Sequence, residues 1–142
     1  MKRRAVFVQT IILVLFALFS GGFATATASS GDPAKDAQDL LNFLKSGDFD
    51  SFSSGIATRM NAPRGKIDGQ IAPWENLASG IRPVYTDKIR QVNYGTSLKR
   101  LIYSIYYGKR NFIFVSLYYA RLQEGWRLYD FSYNTSLKKI LE

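Results

Sequence analysis

The sequence predicts an α+β domain: N-terminal helices packed on a four-stranded antiparallel sheet. Two patterns point there. Between residues 33 and 60 apolar residues recur at i, i+3, i+4 and i+7, the period of one helical face. From residue 82 to 134 the chain becomes dense in Val, Ile, Tyr and Phe, and breaks near Gly95, Gly108 and Glu124-Gly125 divide it into four strands of a meander.

Residues 1–28 read as a signal peptide. Lys2, Arg3 and Arg4 form a positive start, Ile11 to Phe19 is an unbroken apolar run, and small residues follow as far as Ala28. Ala24-x-Ala26 and Ala26-x-Ala28 both fit the small-x-small pattern that a signal peptidase accepts. Cleavage near Ala26 or Ala28 would release one α+β domain over residues 29–142 to the periplasm or the medium. The competing reading is a retained membrane anchor. Its core, Ala5 to Phe19, falls short of the roughly 20 residues that span a bilayer. No Cys is present to carry a lipid.

Composition excludes several chemistries. With no Cys and no His, the chain has no disulfide, no thiolate nucleophile, no imidazole base and no thiolate or His-based metal site. No metal and no cofactor is expected. Beyond residue 28 the chain holds 16 Lys/Arg against 11 Asp/Glu, a net charge of +5. These basic residues are scattered, and export argues against nucleic acid as a partner. Mild attraction to anionic lipids or glycans fits better.

The elements follow in order. Asp32 caps a first helix with Pro33 in its first turn, where the missing N–H costs nothing. Ala37, Leu40, Leu41 and Leu44 make its buried face, and Gly47 stops it. Asp48 caps a second helix with the stripe Phe49, Phe52, Ile56 and Met60. Asn61 to Pro73, with breakers Pro63, Gly65 and Gly69, reads as a turn-rich connection. Pro73 to Gly80 reads as a short third helix with Trp74, Leu77 and Ala78 on one side. The first strand, within 82–94, is too evenly mixed to divide between two faces.

Hairpin geometry gives a register for the remaining strands. A two-residue loop at Glu124-Gly125 pairs Leu122 with Arg127 and Tyr119 with Asp130. A loop at Lys109-Arg110 pairs Tyr107 with Phe112 and Arg100 with Tyr119. One face then takes Leu101, Tyr103, Ile105 and Tyr107 with Phe112, Phe114, Tyr118, Tyr129, Phe131 and Tyr133. This face is expected to meet the helices. The other takes Leu98, Arg100, Ile102 and Ser104 with Ile113, Val115, Leu117, Tyr119, Trp126, Leu128 and Asp130. Its apolar centre calls for a cover, most simply a second copy of the same sheet. A bulge in any strand would reverse that strand's parity.

Gly47-Asp48-Phe49 after the first helix, Trp74-x-x-Leu77 before Gly80, and a closing Gly125-Trp126-Arg127-Leu128 strand occur here in that order. The pattern resembles the nuclear-transport-factor-2-like superfamily, also called SnoaL-like or cystatin-like, and in particular its small exported bacterial members of unknown function. The likeness covers about residues 33–142. It implies a cone-shaped α+β fold. Enzymes of that fold usually place an Asp, His or Tyr in the cone, and here no His is available.

The register assembles one polar group, Arg100–Tyr119–Asp130 across three strands, with Arg121 diagonal to Asp130. Such a group could serve as base and oxyanion donor, although an adjacent Arg weakens a carboxylate base. Its alternative role is a cross-strand tie on a sheet surface. Tyr103, Tyr107, Tyr129 and Arg121 are the candidates for binding a small apolar or anionic ligand. The expectation is therefore an exported, non-catalytic ligand- or partner-binding module, homodimeric through its sheet. The alternatives are a cofactor-free isomerase or hydrolase-like enzyme using Asp130, Tyr119 and Arg100, and an envelope adaptor docking its basic surface on an envelope protein, lipid or glycan.

Overall fold

The computed structural model describes residues 31–109 and 111–142, so the signal-peptide reading falls outside the described residues. Among those described, no helix is long and apolar enough to cross a membrane. Three helices come first, α1 (Pro33–Ser46), α2 (Phe49–Met60) and α3 (Arg64–Ala78). Four strands follow, β1 (Tyr85–Tyr94), β2 (Leu98–Tyr106), β3 (Phe112–Leu122) and β4 (Gly125–Asn134), and a last turn of helix, α4 (Leu137–Leu141), ends the chain. The strands form one antiparallel sheet in the order β1-β2-β3-β4.

The first two helices begin and end on their own local chemistry. The Asp32 carboxylate accepts from the Ala34 N–H and that of Asp48 from the Ser51 N–H. Gly47 takes a left-handed φ of 79°, and its N–H donates to Leu44 O. A side chain there would be strained by the backbone and would also press on Arg82.

α3 is much longer than the expected Pro73–Gly80 helix. It begins at Arg64 and runs through Gly65, Gly69 and Pro73. Ile67, Ile71, Trp74 and Ala78 recur every three or four residues and are all buried, so tertiary burial of that stripe overrides the weak local propensity. A Cβ at Gly65 or Gly69 would meet nothing, so neither glycine is there for close packing.

The sheet register departs from the expected one at both hairpins. Tyr106, not Tyr107, pairs with Phe112, and the Tyr107 N–H donates to Asn111 O. Gly108 and Lys109, both at positive φ, lengthen that turn by a residue. Leu122 pairs with Gly125, not Arg127, so the second turn is Gln123-Glu124. A bulge between Tyr118 and Tyr119 then shifts the pairing by one and leaves Tyr129 67% exposed.

These shifts reverse the expected parity of β3. Ile113, Val115, Leu117 and Tyr119 face the helices, while Phe112, Phe114 and Tyr118 lie on the outer side. The helices pack against Leu101, Tyr103, Ile105 and Tyr107 from β2, those four from β3, and Leu128 and Phe131 from β4. The bulge is what brings both Leu128 and Phe131 inward.

The centre of the outer face is covered by the chain itself. α4 folds back on β3 and β4. Its Ile140 is buried, as are Ile102, Arg100 and Ser116 on that face. The Arg100 guanidinium fixes this arrangement, with Nε donating to Ser116 Oγ at 2.8 Å and a terminal N–H to the Ile140 carbonyl. The C-terminal end is a short helix that buries Ile140 and leaves Lys138 and Lys139 exposed, and a second copy is not required to cover the middle of the sheet.

Candidate functional site

Among the described residues, Asp36, Arg59 and Tyr119 form a charged cluster in the interior. Asp36 stands one turn before Leu40 on the inward stripe of α1, which buries its carboxylate. From α2 the Arg59 Nε donates to Asp36 Oδ1 at 2.6 Å, while its terminal nitrogen donates to Gly55 O at 3.2 Å. From β3 the Tyr119 hydroxyl donates to Asp36 Oδ2 at 3.0 Å. Both carboxylate oxygens are thus engaged. Tyr119 is fully buried, and desolvation, followed by the negative charge and hydrogen bond of Asp36, pushes its phenol far above the ordinary range. Such a hydroxyl is a fixed donor and unsuited to act as a base or nucleophile.

A second interior link runs from the Trp74 Nε1–H to the Tyr107 hydroxyl at 2.9 Å. Burial pushes the Tyr107 phenol up to about 12, against a smaller lowering by Trp74. Burial, helped by the charge of Asp32, does the same to Tyr103. No buried side-chain polar atom among the described residues lacks a partner. The side-chain polar groups buried on the helix-facing side of the sheet are therefore satisfied within the core.

A pH dependence follows from these two tyrosines. Below pH 10 both folded and unfolded chains keep the phenol protons. Between pH 10 and about 12 the unfolded chain ionises first, so the stability these groups contribute is lost as pH rises through that window. Thermal melts between pH 9 and 12 are expected to show a steep fall in Tm beginning near pH 10; a flat profile would contradict the burial of these phenols.

The predicted row Arg100–Tyr119–Asp130 is not assembled. Tyr119 faces the helices, whereas Arg100 lies beneath α4 on the opposite side of the sheet. The strand register instead aligns Arg100, Tyr118 and Asp130. The Arg100 guanidinium stacks over the Tyr118 ring at 5.1 Å. Asp130 is exposed, and its carboxylate accepts from the Phe131 N–H. Of the four ligand candidates, Tyr103 and Tyr107 are in the core, while Tyr129 and Arg121 are exposed and apart from them.

What the outer face does present is a row of aromatic rings. Tyr85, Tyr106, Phe112 and Phe114 follow one another across β1, β2 and β3, with successive centroids 5.0, 4.7 and 6.0 Å apart. Phe112 and Phe114 also border a cleft of about 330 Å³ with Leu77, Tyr107, Asn111, Ile113 and Thr135. A second cleft, of about 240 Å³, lies between α2 and α3. There Arg64 donates to Asp50 at 2.7 Å and to Asp68 at 2.6 Å, and the Ser53 hydroxyl donates to Asp68. The Ser53 and Arg64 bonds together hold the Asp68 carboxyl below its usual range.

No family model, curated protein or solved structure matches the chain. Among the described residues no group of three or more His, Cys, Asp or Glu is placed to hold a metal ion. Neither the Asp36–Arg59–Tyr119 cluster nor the outer aromatic row was anticipated. The first had a signal, since Asp36 occupies a buried position of the α1 stripe and a carboxylate there requires a partner. The second was hidden by the reversed parity of β3.

Proposed function

We propose that this chain is an exported, non-catalytic interaction module of nuclear-transport-factor-2-like architecture that works through the outer face of its sheet. The observation that carries the reading is the aromatic row Tyr85–Tyr106–Phe112–Phe114, which lies on a face that α4 covers only at its centre. Aromatic rings supply large contact area at low entropic cost, as recognition surfaces require. The interior favours binding over turnover. Its one carboxylate–tyrosine–arginine group is saturated by its own members, and Asp130 and Tyr119 lie on different sides of the sheet.

Self-association of two copies through this row belongs to the same reading. Light scattering at tens of micromolar is expected to report a dimer. Tyr85→Glu with Phe114→Glu should convert it to a monomer, while Asp130→Asn leaves it unchanged. A wild-type monomer, or a dimer indifferent to the double substitution, overturns the role given to the row.

A further inference from the structure

We propose that the hairpin end of the sheet docks on an anionic lipid bilayer; the proposal rests on the interaction-module reading and gives the module a partner. The β1–β2 and β3–β4 turns lie side by side at this end, joined by the Arg121 N–H donating to Ser97 O at 2.8 Å. Tyr94, Leu98 and Leu122 stand there on the outer face, 48%, 45% and 40% exposed. Tyr94 is paired with Leu98, and Leu98 with Ala120, two residues before Leu122, so the three make one apolar edge across three strands.

Positive charge surrounds that edge. Residues 88–101 and 118–128 contain five Lys/Arg besides the buried Arg100, and a single carboxylate, Glu124. Four ion pairs join side chains of α1, α2 and α3, among them Arg59 with Asp36 and Arg64 with Asp50 and Asp68. Arg90 and Arg121 take part in none of these four, and Lys99 rests over the Trp126 ring at 5.0 Å. Arg90 and Arg121 are exposed, and their charge is open to an external anion.

The combination selects the partner. A hydrated polyanion would use the cations but gain nothing from exposed leucines. A bilayer with anionic headgroups uses both, since the cations meet the surface potential while Leu and Tyr enter the interface. The aromatic row used for self-association lies toward the opposite end of the strands, so the two contacts do not compete.

The test is co-sedimentation of residues 29–142, the chain left by the expected cleavage, with phosphatidylcholine vesicles and with vesicles containing phosphatidylglycerol, together with Trp fluorescence. Binding is expected only with phosphatidylglycerol and should fall steeply with added salt. The half-buried Trp126 should shift to the blue on binding, whereas Trp74, sealed in the core, contributes a constant background. Arg90→Gln with Arg121→Gln should weaken binding about 30-fold, roughly fivefold for each charge. Leu98→Ser with Leu122→Ser should also weaken it, and both pairs should keep the wild-type melting curve because all four residues are exposed.

Equal binding to both vesicle types would overturn the proposal, as would binding indifferent to both pairs of substitutions, which would place the contact elsewhere on the chain. Equally tight binding of dextran sulfate that is unaffected by the leucine substitutions would assign the surface to acidic polymers and overturn it too. Loss of vesicle binding alongside an intact dimer would remove the bilayer and leave the module reading standing. Vesicle binding by a chain that is always monomeric would do the reverse.

Discussion

Trp74→Ala is expected to lower the unfolding free energy by about 4 kcal/mol. Trp74 is fully buried where α3 crosses α2 and the sheet. Its indole meets Phe49 and Phe52 edge-on, with centroids 6.0 and 5.4 Å away, and Tyr133 at 5.0 Å. Truncation therefore opens a cavity bounded by three rings that cannot all collapse into it. It also orphans the Tyr107 hydroxyl, which accepts from the indole N–H. Tyr107→Phe isolates the polar part of this loss and should cost about 1–3 kcal/mol, because the indole N–H would stay buried without an acceptor. Urea unfolding followed by circular dichroism measures both. A cost below about 1.5 kcal/mol for Trp74→Ala would show that the three rings repack freely.

Asp36→Ala is expected to cost about 3 kcal/mol. The substitution removes the acceptor of both the Arg59 guanidinium and the Tyr119 hydroxyl. Arg59 is 24% exposed, so water reaches it and the loss falls at the lower end of the range for a broken buried pair. Tyr119→Phe should cost only about 1 kcal/mol, since the carboxylate keeps its arginine. Asp36→Ala with Arg59→Met provides the sharper comparison. If the single loss comes mainly from an uncompensated guanidinium, the double variant should be more stable than Asp36→Ala alone. With Arg59→Met alone completing the cycle, an additive result would mean that the two side chains contribute independently and that the ion pair itself adds nothing.

The helical caps and the strand count were legible because each rests on one residue or one local pattern. Asp32, Gly47 and Asp48 act within a few residues of themselves, and Gly95, Gly108 and Gly125 mark where the chain must turn. The extent of α3 was not legible. Gly65, Gly69 and Pro73 are locally unfavourable, and only burial of Ile67, Ile71 and Trp74 against the rest of the fold offsets them. Strand facing failed for another physical reason. Side chains alternate with a period of two, so one extra residue in the turn after Tyr107 inverted every position of β3. The bulge at Tyr129 then changed the parity within β4. The candidate site inherited this error, and Tyr119 exchanged places with Tyr118. The cover supplied by α4 had a faint signature in Leu137, Ile140 and Leu141 at helical spacing, too short to stand out without the sheet beneath it.

The order of elements along the chain also sets when the molecule can assemble. Each strand pairs only with its sequence neighbour, so the hairpins close over short loops and form fast. The apolar stripes of α1–α3 depend on residues much further along, as the Asp36–Tyr119 bond across 83 positions shows. A chain delivered from its N-terminus presents those stripes before the sheet exists to bury them, with only the other helices to pack against. The core is complete only when Leu128 and Phe131 of β4 arrive, about seventy residues after the last residue of α2.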